Sequence, residues 1–420
     1  MLDPDCAPGI YGINSAASHE DHRRFRRVFA PAFSERALKL QEPLFRRHVD
    51  LLIAKIAEAA RLRQPVDMVE LFQFSTFDIM GDLTFGQPLG LLESNRYSTW
   101  VQAVFDSIRV IPIAQLIQYY TLSNTLFNLL EPKSVRDMKY NHFRHSADRV
   151  DRRLQRGSDE PDIWNMVLSA QDGMRLSLDE MYCHADVFML AGSETTGTAM
   201  AGLTWFMLTN PDKMALLTRE LRERFTEEDA ITMESTASLK YLNACASIPA
   251  PFGLCIMDGY QFLTSDTVFD TGIQEALRMY PPVPVGVPRV VPSPGRSVLG
   301  RWVAGGTRVS VHHYATYRSA SNFTDPDTFV PERWLRPGAG GRETYASDRR
   351  EAAQPFAHGP RNCIGQNMAL HEMRLILARV FWKFDLKLRD GVGEGTVPWT
   401  TQRAFILWER KPLACLVDSV

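Results

Sequence analysis

Cysteine spacings that announce a paired framework are missing from this sequence. Six cysteines are spread over 420 residues, at positions 6, 183, 245, 255, 363 and 415, and no two stand in a Cys-x-x-Cys spacing. A disulfide scaffold or a zinc site is therefore not expected, a reducing compartment is, and there is room for one specialised cysteine. An excess of one charge is missing too: 47 Lys and Arg face 49 Asp and Glu, for a net charge of −2. No global field favours nucleic acid or an anionic membrane, and a basic run such as Arg23-Arg24-Phe25-Arg26-Arg27 reads as a solvated helix face. The start, Met1-Leu2-Asp3-Pro4-Asp5, has neither the basic residues nor the apolar run of a signal peptide. Nor is there a clean membrane span. The longest apolar stretch, 187–208, carries Glu194 in its middle. An acid there is costly in lipid, so a buried helix is expected instead. Repeats and low-complexity tracts are absent as well.

What is present is helix after helix. Apolar residues at helical spacing predict helices over 22–29, 35–60, 69–83 and 97–111, with Pro112 interrupting the last of these. Further helices are predicted over 132–155, 178–209, 212–225 and from about Asn362 to Phe381. After Tyr280-Pro281-Pro282 the texture turns to Pro, Gly and Val, which predicts short strands and turns around 289–291 and 308–312. The architecture is mostly α, with a minor β component towards the C-terminal half.

One segment carries chemistry: Phe356-Ala357-His358-Gly359-Pro360-Arg361-Asn362-Cys363-Ile364-Gly365, opening a helix. A thiolate that ligates iron needs N–H donors and a helix N-terminus to hold its charge. Gly359 and Gly365 would let backbone approach a flat macrocycle, and Arg361 could neutralise an anionic group on its rim. Phe356 would shield the sulfur. This segment resembles the heme segment of the cytochrome P450 family, Phe-x-x-Gly-x-Arg-x-Cys-x-Gly, at all five fixed positions.

Three further motifs follow the order of that family. Glu275-Ala276-Leu277-Arg278 and Pro331-Glu332-Arg333-Trp334 resemble its Glu-x-x-Arg and Pro-Glu-Arg-Phe elements, with Trp334 in place of Phe. The resemblance gives Glu275, Arg278 and Arg333 a structural role behind the heme. Ala191-Gly192-Ser193-Glu194-Thr195-Thr196 resembles the oxygen-activating segment, whose small residues let heme and dioxygen approach a helix. Glu194 and Thr195 would then handle protons, although a mid-helix threonine can also bond back to a carbonyl one turn earlier. His22 and Arg26, spaced i and i+4, resemble the propionate-binding helix, with His22 replacing the commoner Trp. Arg289 would be another propionate contact, and Val283, Val285, Gly286 and Val287 a substrate-facing turn.

The resemblance implies a mainly α cytochrome P450 fold, a helical bundle around a heme, in one domain over 1–420. It implies heme b (iron protoporphyrin IX), with Cys363 as the axial ligand of its iron, and Ala191 and Gly192 among the heme contacts. It implies a monooxygenase that uses dioxygen to hydroxylate or epoxidise an apolar small molecule of fungal secondary metabolism. Electrons would come from an NADPH-dependent flavoprotein reductase meeting Arg349, Arg350, Arg374 and Lys383, and no nucleic acid is involved. Pocket-lining positions in 97–120 and 400–405 are apolar and aromatic, which leaves the substrate and the site of oxidation open. Members of the family are usually anchored on the cytosolic face of the endoplasmic reticulum. The match here begins just before the His22 helix, so the anchor and first β-sheet are expected to be absent. A truncated, catalytically inactive paralogue or gene-model fragment is the alternative reading.

A second departure is internal. Residues 246–272 contain Pro249, Pro251, Gly253 and Gly259 and show no periodicity. With them removed, Ile273 would follow Cys245, and Leu239, Leu242, Ile273 and Leu277 would form one helical stripe. The segment reads as a non-family insertion, a translated intron of a fungal gene, with a tolerated surface loop as the alternative. Sequencing the transcript is expected to give a message without it; a message that still encodes Gln261-Phe262-Leu263 overturns this reading.

Overall fold

Apolar spacing of the helical kind becomes helix almost wherever the sequence shows it. The structure, a computed structural model, describes residues 11–16, 18–120, 122, 125, 129, 133–157, 160–168, 176–237, 272–335, 343–391 and 398–420. The expected insertion lies outside these residues apart from Gly272, as do Leu239, Leu242 and Cys245. The main helices are α1 (His19–Phe29), α2 (Glu35–Leu62), α3 (Met68–Phe85), α4 (Thr99–Tyr119), α5 (Lys133–Arg156), α6 (Leu178–Thr209), α7 (Pro211–Arg224), α8 (Gly272–Met279) and α9 (Gln366–Lys383). Strands are short: β1 (Val66–Asp67), β2 (Arg289–Val290), β3 (Gly295–Val298), β4 (Arg301–Ala304), β5 (Arg308–Val309), β6 (Phe384–Leu388) and β7 (Ala414–Ser419). The chain forms two compact units, residues 1–201 with 364–420, and residues 202–363.

In the first unit the helix starts are set by side chains. Ser18, Ser34 and Asp67 accept from the N–H groups of Asp21, Ala37 and Val69. Asp67 also accepts from Leu413 N at 2.9 Å, which pins the start of α3 to the chain entering β7. Strand β7 lies between β1 and β6, antiparallel to both, with Val66 opposite Cys415 and Leu386 opposite Val417. Helix α2 packs against α3, α9 and β7. Its buried His48 meets the Asp82 carboxylate of α3 at 2.9 Å, and Arg47 shares that carboxylate.

Helix α1 packs on α6 through aromatic edges. Phe25 and Phe29 flank His184, with ring centroids 4.5 and 4.6 Å away, and Phe188 meets Phe29 and Phe33 at 4.8 and 5.4 Å. Burial pushes the His184 imidazole down to about 4, so it stays neutral near pH 7.

Three expectations need correction. Pro112 does not end its helix: α4 continues through it to Tyr119. Proline removes one intrahelical bond and kinks the helix, and the burial of Trp100, Val101, Val104, Phe105 and Ile108 outweighs that loss. The last helix begins at Gln366, not near Asn362, because Cys363 is turned back onto the preceding loop. Finally, Cys363 and Cys415 carry reduced thiols, but Cys183 is disulfide-bonded, a pairing the cysteine spacing did not announce.

The second unit is organised around one carboxylate. Glu275 of α8 accepts from Arg278 Nη2 and Nε at 2.7 and 2.8 Å, from Arg333 Nε at 3.0 Å, from Val330 N at 2.9 Å and from Trp334 Nε1 at 2.9 Å. The guanidiniums spend their other donors on carbonyls. Arg278 reaches Tyr317 O and Pro326 O at 2.8 and 2.7 Å, and Arg333 reaches Thr324 O at 2.9 Å and the Asp348 carboxylate. Glu275, Arg278 and Arg333 are wholly buried. Nearby, Gly286 has φ +71°, and a Cβ there would stand 1.9 Å from Val311 O, so the turn before β2 accepts glycine alone.

Burial would raise the Glu275 carboxyl, yet Arg278, Arg333 and the Val330 N–H hold it below its ordinary value. Its folded value is thus lower than its unfolded one. Its contribution is complete above the ordinary carboxyl range and is lost as pH falls through the depressed folded value. Replacing Glu275 by Ala strands two buried guanidiniums, at a cost of about 3–5 kcal/mol. Thermal unfolding at neutral pH should show a steep drop in the melting temperature of Glu275→Ala; an unchanged one overturns the central role of this carboxylate.

Candidate active site

Cys363 sits in a loop shaped by two left-handed residues. Ala357 has φ +59° and Gly359 φ +83°, and the turn closes through Asn362 N to Gly359 O at 3.0 Å and Cys363 N to Phe356 O at 2.8 Å. A left-handed alanine is strained, so the surrounding bonds must hold it. One of them is Ala357 N to Gln354 O at 2.9 Å, and Gln354 N in turn donates to the Tyr317 hydroxyl at 2.9 Å. Tyr317 is also the residue whose carbonyl caps Arg278. The buried ion cluster and the cysteine loop are therefore one bonded frame. The Cys363 thiol is exposed, Phe356 is half-buried, and a Cβ on Gly359 would meet nothing within 4 Å.

Two cations stand beside this loop. Arg289 of β2 donates to Arg361 O at 3.5 Å, and burial together with the charge of Arg289 lowers the Arg361 guanidinium's proton affinity. Like charges held this close mark a place for an anionic group. Arg289, Phe356, Gly359, Arg361 and Cys363 all belong to the second unit.

The remaining expected site residues belong to the first unit. On α6, Ala191 is exposed and Gly192 and Thr195 are half-buried, although Met189, Ser193, Glu194 and Thr196 around them are buried. One face of the helix is thus bare where its residues are smallest. Met80 packs behind Gly192 so closely that a Cβ there would stand 2.6 Å from its sulfur. His22, buried, and Arg26, half-buried, lie one turn apart on α1. A Cβ on Gly365 would touch only the Phe33 ring, at 3.8 Å.

The Thr195 hydroxyl donates to Ala191 O at 2.6 Å, the local bond open to a mid-helix threonine, and keeps its lone pairs for an incoming donor. Glu194 is fully buried, and neither carboxyl oxygen accepts a hydrogen bond. Burial pushes it up to about 7, against the pull of the Arg410 guanidinium, while the Gln73 amide donates to the backbone carbonyl of Glu194 at 3.3 Å. An acid with that value gives and takes protons readily at neutral pH.

The residues fit a heme. In the second unit, the exposed Cys363 beside Arg289 and Arg361 would suit an iron ligand with partners for propionates; in the first, the bare stretch of α6 around Ala191 and Gly192 would suit the close approach of a flat group. Sequence reasoning missed Arg410, which comes from the C-terminal loop, and Asp348, which completes the ion cluster. No local spacing links either to its partner. It also placed Arg374 on the electron-accepting surface, whereas Arg374 is buried in α9. Arg349 is exposed and Arg350 and Lys383 are half-buried.

A family model described as Cytochrome P450 matches residues 7–247 and 265–415. Cytochrome P450 monooxygenase FUM2 of Gibberella moniliformis is 43% identical, over 97% of this chain and 79% of its own length. Averantin hydroxylase of Dothistroma septosporum is 37% identical, over 97% of this chain and 70% of its own. A solved structure, the heme domain of cytochrome P450DA, shares the fold with a TM-score of 0.75 at 20% identity, covering 100% of this chain and 81% of that one.

Proposed function

The chain belongs to the cytochrome P450 family, and from that premise we propose that Cys363 holds the iron of heme b while Glu194 and Thr195 manage the protons of the reaction. It is a heme-dependent monooxygenase of the fungal secondary-metabolite type that hydroxylates or epoxidises an apolar small molecule. Heme supplies the reduction of dioxygen and the insertion of one oxygen atom into the substrate.

The chain's own residues supply the rest. Cys363 would hold the heme iron through its thiolate, the ligand type whose electron donation favours O–O cleavage. Arg289 and Arg361 take one part of the propionate charge, and His22 and Arg26 are assigned to the same task from α1. Ala191 and Gly192 keep the face of α6 open. Glu194 would exchange a proton with water, and Thr195, its own proton engaged with Ala191 O, presents lone pairs to an incoming donor. The observation that supports this reading most is Glu194: a buried acid with unused oxygens and a value near neutrality, on the turn where α6 is bare.

Dioxygen, an apolar substrate and a redox partner complete the reaction. We take the partner to be an NADPH-dependent flavoprotein reductase, which the exposed Arg349 and the half-buried Arg350 could meet through acidic residues of its own. The location we propose is that usual for the family, the cytosolic face of the endoplasmic reticulum. Among the described residues no helix is long and apolar enough to cross a membrane.

The test is the absorbance spectrum of the purified, reduced protein under carbon monoxide. The intact chain should give the red-shifted Soret band of thiolate ligation, and Cys363→Ser should lose it. An unshifted band, or no bound heme, overturns the assignment and favours the inactive-paralogue reading.

A further inference from the structure

Among the described residues Glu194 has one cation beside it, Arg410, and that cation is anchored elsewhere. Arg410 Nε stands 3.4 Å from Glu194 Oε1, beyond the distance of a charge-assisted hydrogen bond and without a bidentate fork. The guanidinium instead lies over the ring of Phe105, its Cζ 3.3 Å from the centroid. Phe105 is fixed in turn by Tyr97, edge-on at 5.1 Å, and Tyr97 by Phe74 at 4.8 Å. The backbone of Arg410 is left-handed, φ +63°, in a loop closed by Glu409 N to Arg403 O at 2.9 Å. An unfavourable conformation of a bulky residue is retained where it sends a side chain to a required place.

We propose that Arg410 is a positioning residue for proton delivery: a guanidinium preorganised on Phe105 that attracts the Glu194 carboxylate without binding it. Because the ring and the loop hold the guanidinium, Glu194 can lose and regain its proton while its counter-charge stays in place. The loose contact leaves both carboxyl oxygens available to a proton carrier, which a tight fork would occupy. The groups facing this carboxyl are Arg410 from the C-terminal loop, Gln73 from α3, and Tyr97 ahead of α4. Asp67 and Glu70 add negative charge near Tyr97 and are themselves raised by burial. This proposal rests on the reading of Glu194 as the proton-handling acid.

The test uses the heme-loaded protein. Infrared titration of the Glu194 carboxyl, identified by its disappearance in Glu194→Gln, is run for the native chain, Arg410→Gln and Arg410→Lys. Removing the guanidinium should move the midpoint up by about one pH unit, a tenfold gain in proton affinity, and Arg410→Lys should bring it back towards the native value. An unmoved midpoint in Arg410→Gln overturns the proposal. In parallel, dioxygen uptake driven by NADPH and a flavoprotein reductase is measured against pH. A limb that is absent in Glu194→Gln and shifted upward in Arg410→Gln supports the proposal. If that limb is absent in Glu194→Gln but unshifted in Arg410→Gln, Arg410 loses its role and Glu194 keeps its own. If the limb survives unchanged in Glu194→Gln, the proton-handling role of Glu194 fails, and the proposal with it.

Discussion

The rest of the cysteine side depends on the buried Glu275 carboxylate. Placing an acid and two guanidiniums out of water is expensive, and the arrangement is stable only if almost every donor is used. Here the five donors to Glu275 come from α8, from the turn that carries Arg333, and from the segment before it. A helix, a short turn and the irregular segment before it are thereby fixed to one atom group. The Arg278 bond to Tyr317 O and the Tyr317 hydroxyl's bond from Gln354 carry that order to the strained turn at Ala357, and so to the thiol. A loop without regular secondary structure needs such a frame, because nothing in its own backbone pattern would hold it.

Much of this was legible in the sequence and some of it was not, for physical reasons. Cys363 with Gly359 and Arg361, and Glu275 with Arg278, are short-range patterns whose chemistry depends on fixed spacing, so the chain displays them directly. Helices α2 and α6 were legible because burial imposes a period that composition reveals. Asp348 and Arg410 were illegible because an ion pair between remote segments leaves no mark on either. Pro112 misled because local propensity is a weak term beside the burial of one helix face.

Trp334 shows how a departure from a family pattern can be read only in three dimensions. By sequence it is an aromatic replacing another aromatic. In the fold its indole N–H donates to Glu275 at 2.9 Å, which a phenyl ring cannot do. The substitution adds a donor to a carboxylate whose position depends on its donors, and it fills the space beside Phe323 as well.

The packing of α1 on α6 has an electrical consequence. His184, enclosed by Phe25, Phe29 and Phe188, is neutral throughout the physiological range, and burial holds the Tyr97 phenol protonated there too. Two turns beyond Phe188, Glu194 titrates in the middle of that range. Glu194 thus changes its charge beside aromatic packing that carries none. A drift in the acidity of the surroundings would be registered at Glu194, while the aromatic wall that positions the helix stayed blind to it.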